Sequence, residues 1–227
     1  MDNLNIYRKL LKLSLFQGLS ESELKNIFGS FRFGFHRFHK GAVIVQEGMP
    51  CQILMLLTDG EIMTSRWSEK HSYLIEEFFS APHILQPERL FGISHFFACQ
   101  VTAVTDVNFI TIDKNELQRL IDNHLIVKLN FLNALSLKTQ NQEKATWLSA
   151  PDNLTERIKR FVKAHTESPT GQKVVHIKME ELGREMNDSR LNVSIALHKL
   201  ETAGLITLHR SKFVVHQMEH FLTEKTI

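Results

Sequence analysis

The sequence predicts an α+β protein in which a β-rich N-terminal part, a long helix and a small mixed C-terminal part follow one another. Three observations carry this. From Phe31 the apolar residues recur with a period of two through many short, glycine-punctuated runs. From Asp113 the period lengthens to that of a helix, and after Pro151 helical runs alternate with short strand-like ones. At 227 residues the chain is long enough for two domains of ordinary size, and its 43% apolar and 23% charged residues suit a soluble globular protein. No run approaches the ~18 apolar residues of a membrane span. The start, MDNLNIYRKLLKL, lacks a signal-peptide pattern, so a cytoplasmic protein with no membrane partner is expected. Cys51 and Cys99 stand at no ligand-like spacing and read as unpaired buried thiols of a reducing compartment. The net charge of +2 does not by itself argue for nucleic acid.

The elements follow in order. Residues 4–30 read as one or two short helices, the last opened by a capping box of Ser20 and Glu23. FRFGFHRFHK then alternates as a strand that sets Phe31, Phe33 and Phe35 on one face. GAVIVQEG, QILMLLTDG, EIMTSRWSE, SYLIEEFF, VTAVTD and NFITID continue the series, with turns at Gly41, Gly48 and Gly60, as a β-sandwich or small barrel. Beyond Asp113, Leu117, Leu120, Ile121, Leu125, Leu132 and Leu135 cover more than one stripe, so this helix must bury two faces. One face covers the β-rich part, and a second copy of the same helix is the economical partner for the other. Asn123 interrupts the run, leaving a short helix and a long one, and Ser149 with Pro151 marks a helix stop and restart. DNLTERIKRFVKAH is then an amphipathic helix, PTGQKVVHI a turn and strand, and TLHRSKFVVH a hairpin with a basic turn.

Between that strand and hairpin, KMEELGREMNDSRLNVSIALHKLETAGLI reads as two helices around a tight turn. Met179, Leu182 and Met186 line the first helix, while Leu191, Ile195 and Leu197–Leu200 supply the side of the second expected to face it. The turn needs a left-handed residue, for which asparagine at 187 is the best choice after glycine. Asp188 or Ser189 can accept the free N–H groups that open the second helix. That helix then presents Ser189, Arg190, Asn192 and Val193 in its first turn, with Ser194 and His198 further on. Its positive N-terminal end suits a phosphate, arginine can read guanine bidentately, and asparagine can read adenine. His209, Arg210 and Lys212 on the hairpin are placed to touch phosphates, so double-stranded DNA is the expected partner.

With these parts in this order the chain resembles the catabolite activator / FNR (Crp/Fnr) superfamily of bacterial transcription regulators. The resemblance is carried by LFQGLSESEL (15–24), KGAVIVQEGMPCQILMLLTDGEI (40–62) and ELGREMNDSRLNVSIALHKLETAGLI (181–206). It implies a double-stranded β-helix (jelly-roll, cyclic-nucleotide-binding-like) sensor domain over 1–112, a dimerisation helix and hinge over 113–149, and a winged helix-turn-helix DNA-binding domain over 150–227. It further implies a homodimer on a palindromic operator, with RNA polymerase as a further partner. Arg190 matches the family's base-contacting arginine and Ser189 its phosphate-contacting serine. Leu191 stands where many members carry glutamate, and Ile195 replaces a later arginine, so the operator is expected to differ from the best-known one.

The sensor is where the chain departs most. Cyclic-nucleotide-binding members hold the ribose with Gly-Glu and the phosphate with Arg-Ser or Arg-Thr. Here Gly92 survives, but Ile93 takes the glutamate position and Phe97 and Ala98 those of arginine and serine. A buried phosphate needs a guanidinium and further donors, so cyclic AMP or GMP is not expected, and the cofactor is open. The candidate effector pocket is Phe78, Leu85, Arg89, Phe91, Ile93, Phe96 and Phe97. Three readings stand: a haem or gas sensor using His83 or His95, with His71 nearby; another small effector held by Arg89 or Glu88; or apolar core with no ligand. A non-DNA regulatory module of the cyclic-nucleotide type is the alternative class. No nucleophile–base pair, glycine-rich phosphate loop or metal-spaced cluster is evident, so no enzymatic activity is expected.

Overall fold

The computed structural model describes residues 3–147, 151 and 153–224, so the helix stop expected at Ser149 lies outside the described residues. Helix α1 (Asn3–Leu10), a 3₁₀ turn (Ser14–Phe16) and α2 (Glu21–Ser30) come first. The capping box forms as expected: the Ser20 N–H donates to Glu23 Oε2 at 2.8 Å, and the Glu23 N–H donates to Ser20 Oγ at 3.3 Å. Eight strands follow: β1 (Gly34–Phe38), β2 (Val43–Val45), β3 (Ile53–Asp59), β4 (Glu61–Trp67), β5 (Tyr73–Ser80), β6 (His83–Leu85), β7 (Gln100–Ala103) and β8 (Val107–Asp113). Next are α3 (Lys114–Asn123), α4 (Leu125–Trp147), α5 (Leu154–Ala164), β9 (Lys173–Ile177), α6 (Met179–Met186) and α7 (Arg190–Thr202). The hairpin of β10 (Ile206–His209) and β11 (Lys212–Val215) and a last helix, α8 (Met218–Thr223), complete the described chain. None of the described helices is long and apolar enough to cross a membrane.

The phenylalanine alternation at 31–35 is not realised. Phe31 caps α2, its N–H donating to Ile27 O at 2.9 Å, and Phe33 stacks on Phe28 with ring centroids 4.0 Å apart. Of the three, Phe35 alone lies within β1, and it is exposed, because the strand starts only at Gly34. The strand β6 and the helix α8 went unread in the sequence, being only three and six residues long.

Contacts divide the chain into two units. The first comprises Met1–Ile62 with Phe79–Glu143, the second Met63–Phe78 with Lys144–Ile227. Residues 63–78, which the expected division placed within 1–112, thus group by contacts with the later part of the chain. In the first unit, β1-β8-β3-β6 form an antiparallel sheet and β2 pairs with β7. The two layers enclose a core that includes Leu54, Leu56, Ile62, Val101, Phe109 and Ile112, and Leu117 and Leu120 of α3 join it. The Gly60 turn between β3 and β4 requires glycine: φ is +81°, and a Cβ there would run into the Asp106 carbonyl.

Helix α4 carries two apolar faces, of which one is buried. Val127 and Phe131 are buried in the first unit's core, with Leu135 partly buried against it, at the spacing of one helical stripe. Leu125, Leu129 and Leu132 form another stripe that stays exposed, at 67%, 49% and 51%.

The second unit holds the hairpin tip for a definite reason. Its strand order runs β10-β11-β9-β5-β4, with β5 antiparallel to β9 from Tyr73↔Ile177 to Glu77↔Lys173. Tyr73 and Ile75 are built into the core with Ile158, Phe161, Val175 and Phe213, and the Tyr73 hydroxyl lies 2.9 Å from His165 Nε2. Glu77 and Lys173 pair at 2.9 Å with the lysine fully buried. Glu77 also accepts from the N–H groups of Glu167 at 2.7 Å and Ser168 at 3.1 Å, and Lys173 Nζ donates to Thr170 O at 2.9 Å.

A buried pair with its remaining hydrogen bonds made is costly to break from one side only. Glu77→Ala strips the carboxylate from a buried ammonium and two N–H groups, and it is expected to destabilise the second unit by about 3–5 kcal/mol in urea denaturation.

Candidate functional site

The helix pair of the second unit forms around the turn at 187–189. Asn187 takes the left-handed conformation at φ +48°, as expected, and its N–H bonds to Arg184 O at 3.1 Å. Ser189 is the cap of α7, its hydroxyl accepting the Asn192 N–H at 3.1 Å. Asp188 ties the turn together: it accepts from its neighbour Ser189 N–H at 2.8 Å, from Asn192 Nδ2 at 2.8 Å and from Arg157 Nη2 at 2.6 Å. The second guanidinium arm of Arg157 reaches Met186 O at 2.8 Å, so α5 clamps both ends of the turn. The Asn192 and Ser189 hydrogen bonds, with Arg157 adding to them, hold the Asp188 carboxyl below the usual aspartate range. Gly183 lets α6 approach this turn closely, since a Cβ there would lie 3.0 Å from Asp188 O. An open cleft of about 430 Å³ lies beside the turn, lined by Glu180, Gly183, Arg184, Asn187, Asp188 and Arg190.

The packing face of α7 corrects two expectations. Val193, Ala196, Leu197 and Leu200 are its buried residues, with Val193 and Leu200 at 0% exposure. They follow i, i+3, i+4, i+7, the spacing of one stripe. Val193, expected on the presented face, therefore lies in the core. Leu191 and Ile195, expected against α6, are exposed at 69% and 50%. Arg190, Leu191, Ser194, Ile195 and His198 share the open side of the helix, with Ser194 half-buried. Asn192 is exposed, but its amide is committed to Asp188.

Arg190 is the freest of these groups: its guanidinium is 71% exposed and only grazes Glu180, at 3.9 Å. The hairpin's turn is Arg210 and Ser211, with His209 opposite Lys212, and His209 and Arg210 are exposed while Lys212 is half-buried. Glu201 at the end of α7 accepts the Leu208 N–H of β10 at 2.9 Å, which holds its carboxyl below the usual glutamate range and ties the hairpin to the helix. The arrangement offers an exposed guanidinium, a hydroxyl and an imidazole along the open side of α7, near its N-terminus, which is chemistry suited to a polyanion with readable edges.

In the first unit the candidate effector residues do not share one setting. Leu85 and Phe97 are core residues at 2% and 4% exposure, whereas Ile93 and Phe96 are exposed at 102% and 50%. Phe91 packs edge-on against Phe131, and Phe78 belongs to the second unit. Arg89 sits 3.7 Å from Glu88, which pairs with Lys138 at 2.8 Å. His83 stacks on Phe79 at 4.3 Å, and the His95 carbonyl accepts the Cys51 N–H at 2.7 Å. Burial pushes the Cys51 thiol up to about 11. Among the described residues no group of three or more His, Cys, Asp or Glu is placed to hold a metal ion.

Gln86 was not singled out in the sequence and proves decisive here. It is 3% exposed and left-handed at φ +41°. Its Oε1 accepts the Ala98 N–H at 2.7 Å and its Nε2 reaches Cys99 Sγ at 2.8 Å. At the position where the family resemblance places a phosphate, Phe97 is core, Ala98 has no hydroxyl, and its N–H is taken by the chain's own glutamine. These residues do not fit a cyclic-nucleotide phosphate. No signal in the sequence marked Gln86, because its partner lies twelve residues on and its backbone state is rare for any residue but glycine.

Titration of the full chain with cyclic AMP or cyclic GMP in a calorimeter is expected to give no saturable heat, with any affinity weaker than about 1 mM. A micromolar dissociation constant would show that Gln86 yields its bond to the ligand.

Residues 35–124 match the family model described as cyclic nucleotide-binding domain. No curated protein matches the sequence. Among solved structures, the chain is similar to the catabolite activator protein of Thermus thermophilus at 19% identity, over 92% of this chain and 98% of that one, with a TM-score of 0.52. It is also similar to FixK2 from Bradyrhizobium japonicum at 12% identity, over 84% and 96% of the two chains, with a TM-score of 0.46. A third is DNR from Pseudomonas aeruginosa at 18% identity, over 94% and 95%, with a TM-score of 0.45. Residues 35–124 thus match the cyclic nucleotide-binding domain model, and the chain shares the fold of a catabolite activator protein.

Proposed function

We propose that this protein is a sequence-specific DNA-binding transcription regulator that acts as a homodimer and does not take cyclic AMP as its signal. The observation that carries the proposal is the open face of α7, where a capped turn sets an exposed Arg190 at the helix N-terminus beside Ser194 and His198. On this reading α6 and α7 with the β10–β11 hairpin are a winged helix-turn-helix, the second helix entering the major groove and the hairpin tip touching phosphate. The domain of residues 150–227 reads DNA, residues 113–149 join two copies, and residues 1–112 carry the sensor.

Dimerisation is supported by the exposed stripe of Leu125, Leu129 and Leu132 on α4, whose other face is already buried. Two-fold symmetry then calls for a palindromic operator with half-sites about one helical turn apart. RNA polymerase as a partner and a cytoplasmic location rest on the family resemblance.

Arg190→Ala is expected to weaken specific binding by about 1–3 kcal/mol and relax base preference at one position per half-site, read by mobility-shift titration on selected sequences. Arg210→Ala should instead weaken binding to all sequences alike and lower the salt slope by about 0.9 per subunit. Unchanged operator affinity in Arg190→Ala would overturn the assignment of α7. Leu129→Asp is expected to yield monomers in sedimentation at micromolar concentration, where the native chain is a dimer.

A further inference from the structure

The open side of α7 carries two large apolar groups that neither packing nor the turn explains. Leu191 is 69% exposed and Ile195 50% exposed, one helical turn apart, while the helix buries a separate stripe through Val193, Ala196, Leu197 and Leu200. A lone exposed leucine is ordinary on a protein surface. Here the pair lies on the same side as Arg190, Ser194 and His198, so an apolar strip runs directly beside a polar one that carries the guanidinium.

We propose that Leu191 and Ile195 read the operator by packing on thymine C5-methyl groups in the major groove, next to the base contacted by Arg190. This rests on the DNA-binding reading above and gives that site its base preference. The thymine methyl is the apolar group that a base edge offers in the major groove, so an exposed aliphatic side chain there has a matching partner. The spacing agrees. Four residues of helix rise about 6 Å, close to two nucleotide steps of about 3.4 Å on one strand, so the pair spans thymines within two or three neighbouring base pairs. The committed amide of Asn192 leaves the first turn with Arg190 as its free polar reader, and the apolar pair is left to specify the neighbouring positions. A protein partner is a poorer fit. Two side chains fall far short of the roughly 800 Å² per partner of a stable interface, and such a partner would have to cover the exposed Arg190 and His198 as well.

The test begins with selection of bound duplexes by the full-length protein. The enriched half-site is expected to hold a guanine for Arg190 and one or two thymines within three base pairs of it. Each of those thymines is then replaced by deoxyuridine, which removes the methyl and leaves every hydrogen-bonding group in place. Affinity is expected to fall about fourfold per methyl contacted, the scale of one buried methylene. In Leu191→Ala and Ile195→Ala the same replacement should cost nothing further at the thymine each residue reads. Enriched half-sites without thymine there, or deoxyuridine tolerated at every position by the native protein, would overturn the methyl reading and leave DNA binding standing. If the native protein enriches no sequence at all, the DNA-binding reading itself fails, and this inference with it. Altered sedimentation of the DNA-free protein in Leu191→Ala would assign the strip to a contact between copies and overturn the proposal.

Discussion

Asp188 accepts hydrogen bonds from Ser189 and Asn192 and the charge-assisted bond of Arg157, and through them it sets how α7 leaves the turn. Three elements converge on one carboxylate: α5 through Arg157, the turn through Ser189, and α7 through Asn192. Charge-assisted bonds of this kind are stronger than neutral ones and directional. With the start of α7 held there and Val193, Ala196, Leu197 and Leu200 buried, the helix has one orientation available. The identity of its exposed side follows from that, and so does every proposal about what it reads. Gly183 belongs to the same arrangement, since a side chain there would push α6 away from the Asp188 carbonyl.

The second unit is larger than its continuous stretch of sequence. Strand β5 adds to β9, and Tyr73 and Ile75 complete a core otherwise made from residues beyond 150. The Glu77–Lys173 pair sits at one end of this pairing, with the carboxylate also holding the backbone of Glu167 and Ser168. A buried ion pair adds little net stability over an apolar pair of the same shape, but it penalises any register that leaves either charge alone. The pair therefore helps to set which residues of β5 and β9 face each other. The tip of the hairpin and the helix pair belong to one folding unit as a result.

In the first unit the fold and the ligand chemistry part company. Residues 35–124 match a cyclic nucleotide-binding domain, while the positions where the resemblance would place phosphate-holding groups carry core phenylalanine and alanine, beside a buried glutamine that satisfies the backbone itself. A match to a domain family describes how the strands pack. It does not prescribe a ligand, which depends on a handful of side chains.

Much of this was legible in the sequence. The capping box at Ser20, the break at Asn123, the left-handed Asn187 and the hairpin with its basic turn all rest on local chemistry, where neighbouring residues decide the outcome. The stripes of α4 were also legible, because helical period is a property of sequence. The facing of α7 was misjudged although its buried stripe has regular spacing, since a helix apolar on two sides does not declare which side meets a core. What only the tertiary structure decided are the contacts between distant segments: Gln86 on Ala98 and Cys99, β5 on β9, Arg157 on Asp188. Each depends on chain paths that bring remote residues within hydrogen-bonding distance. By itself the sequence determined the order of elements and the kinds of group on α7 and the hairpin, because both follow from local period and residue chemistry. Which of those groups face outward was settled by burial, as apolar side chains competed for a core of limited size.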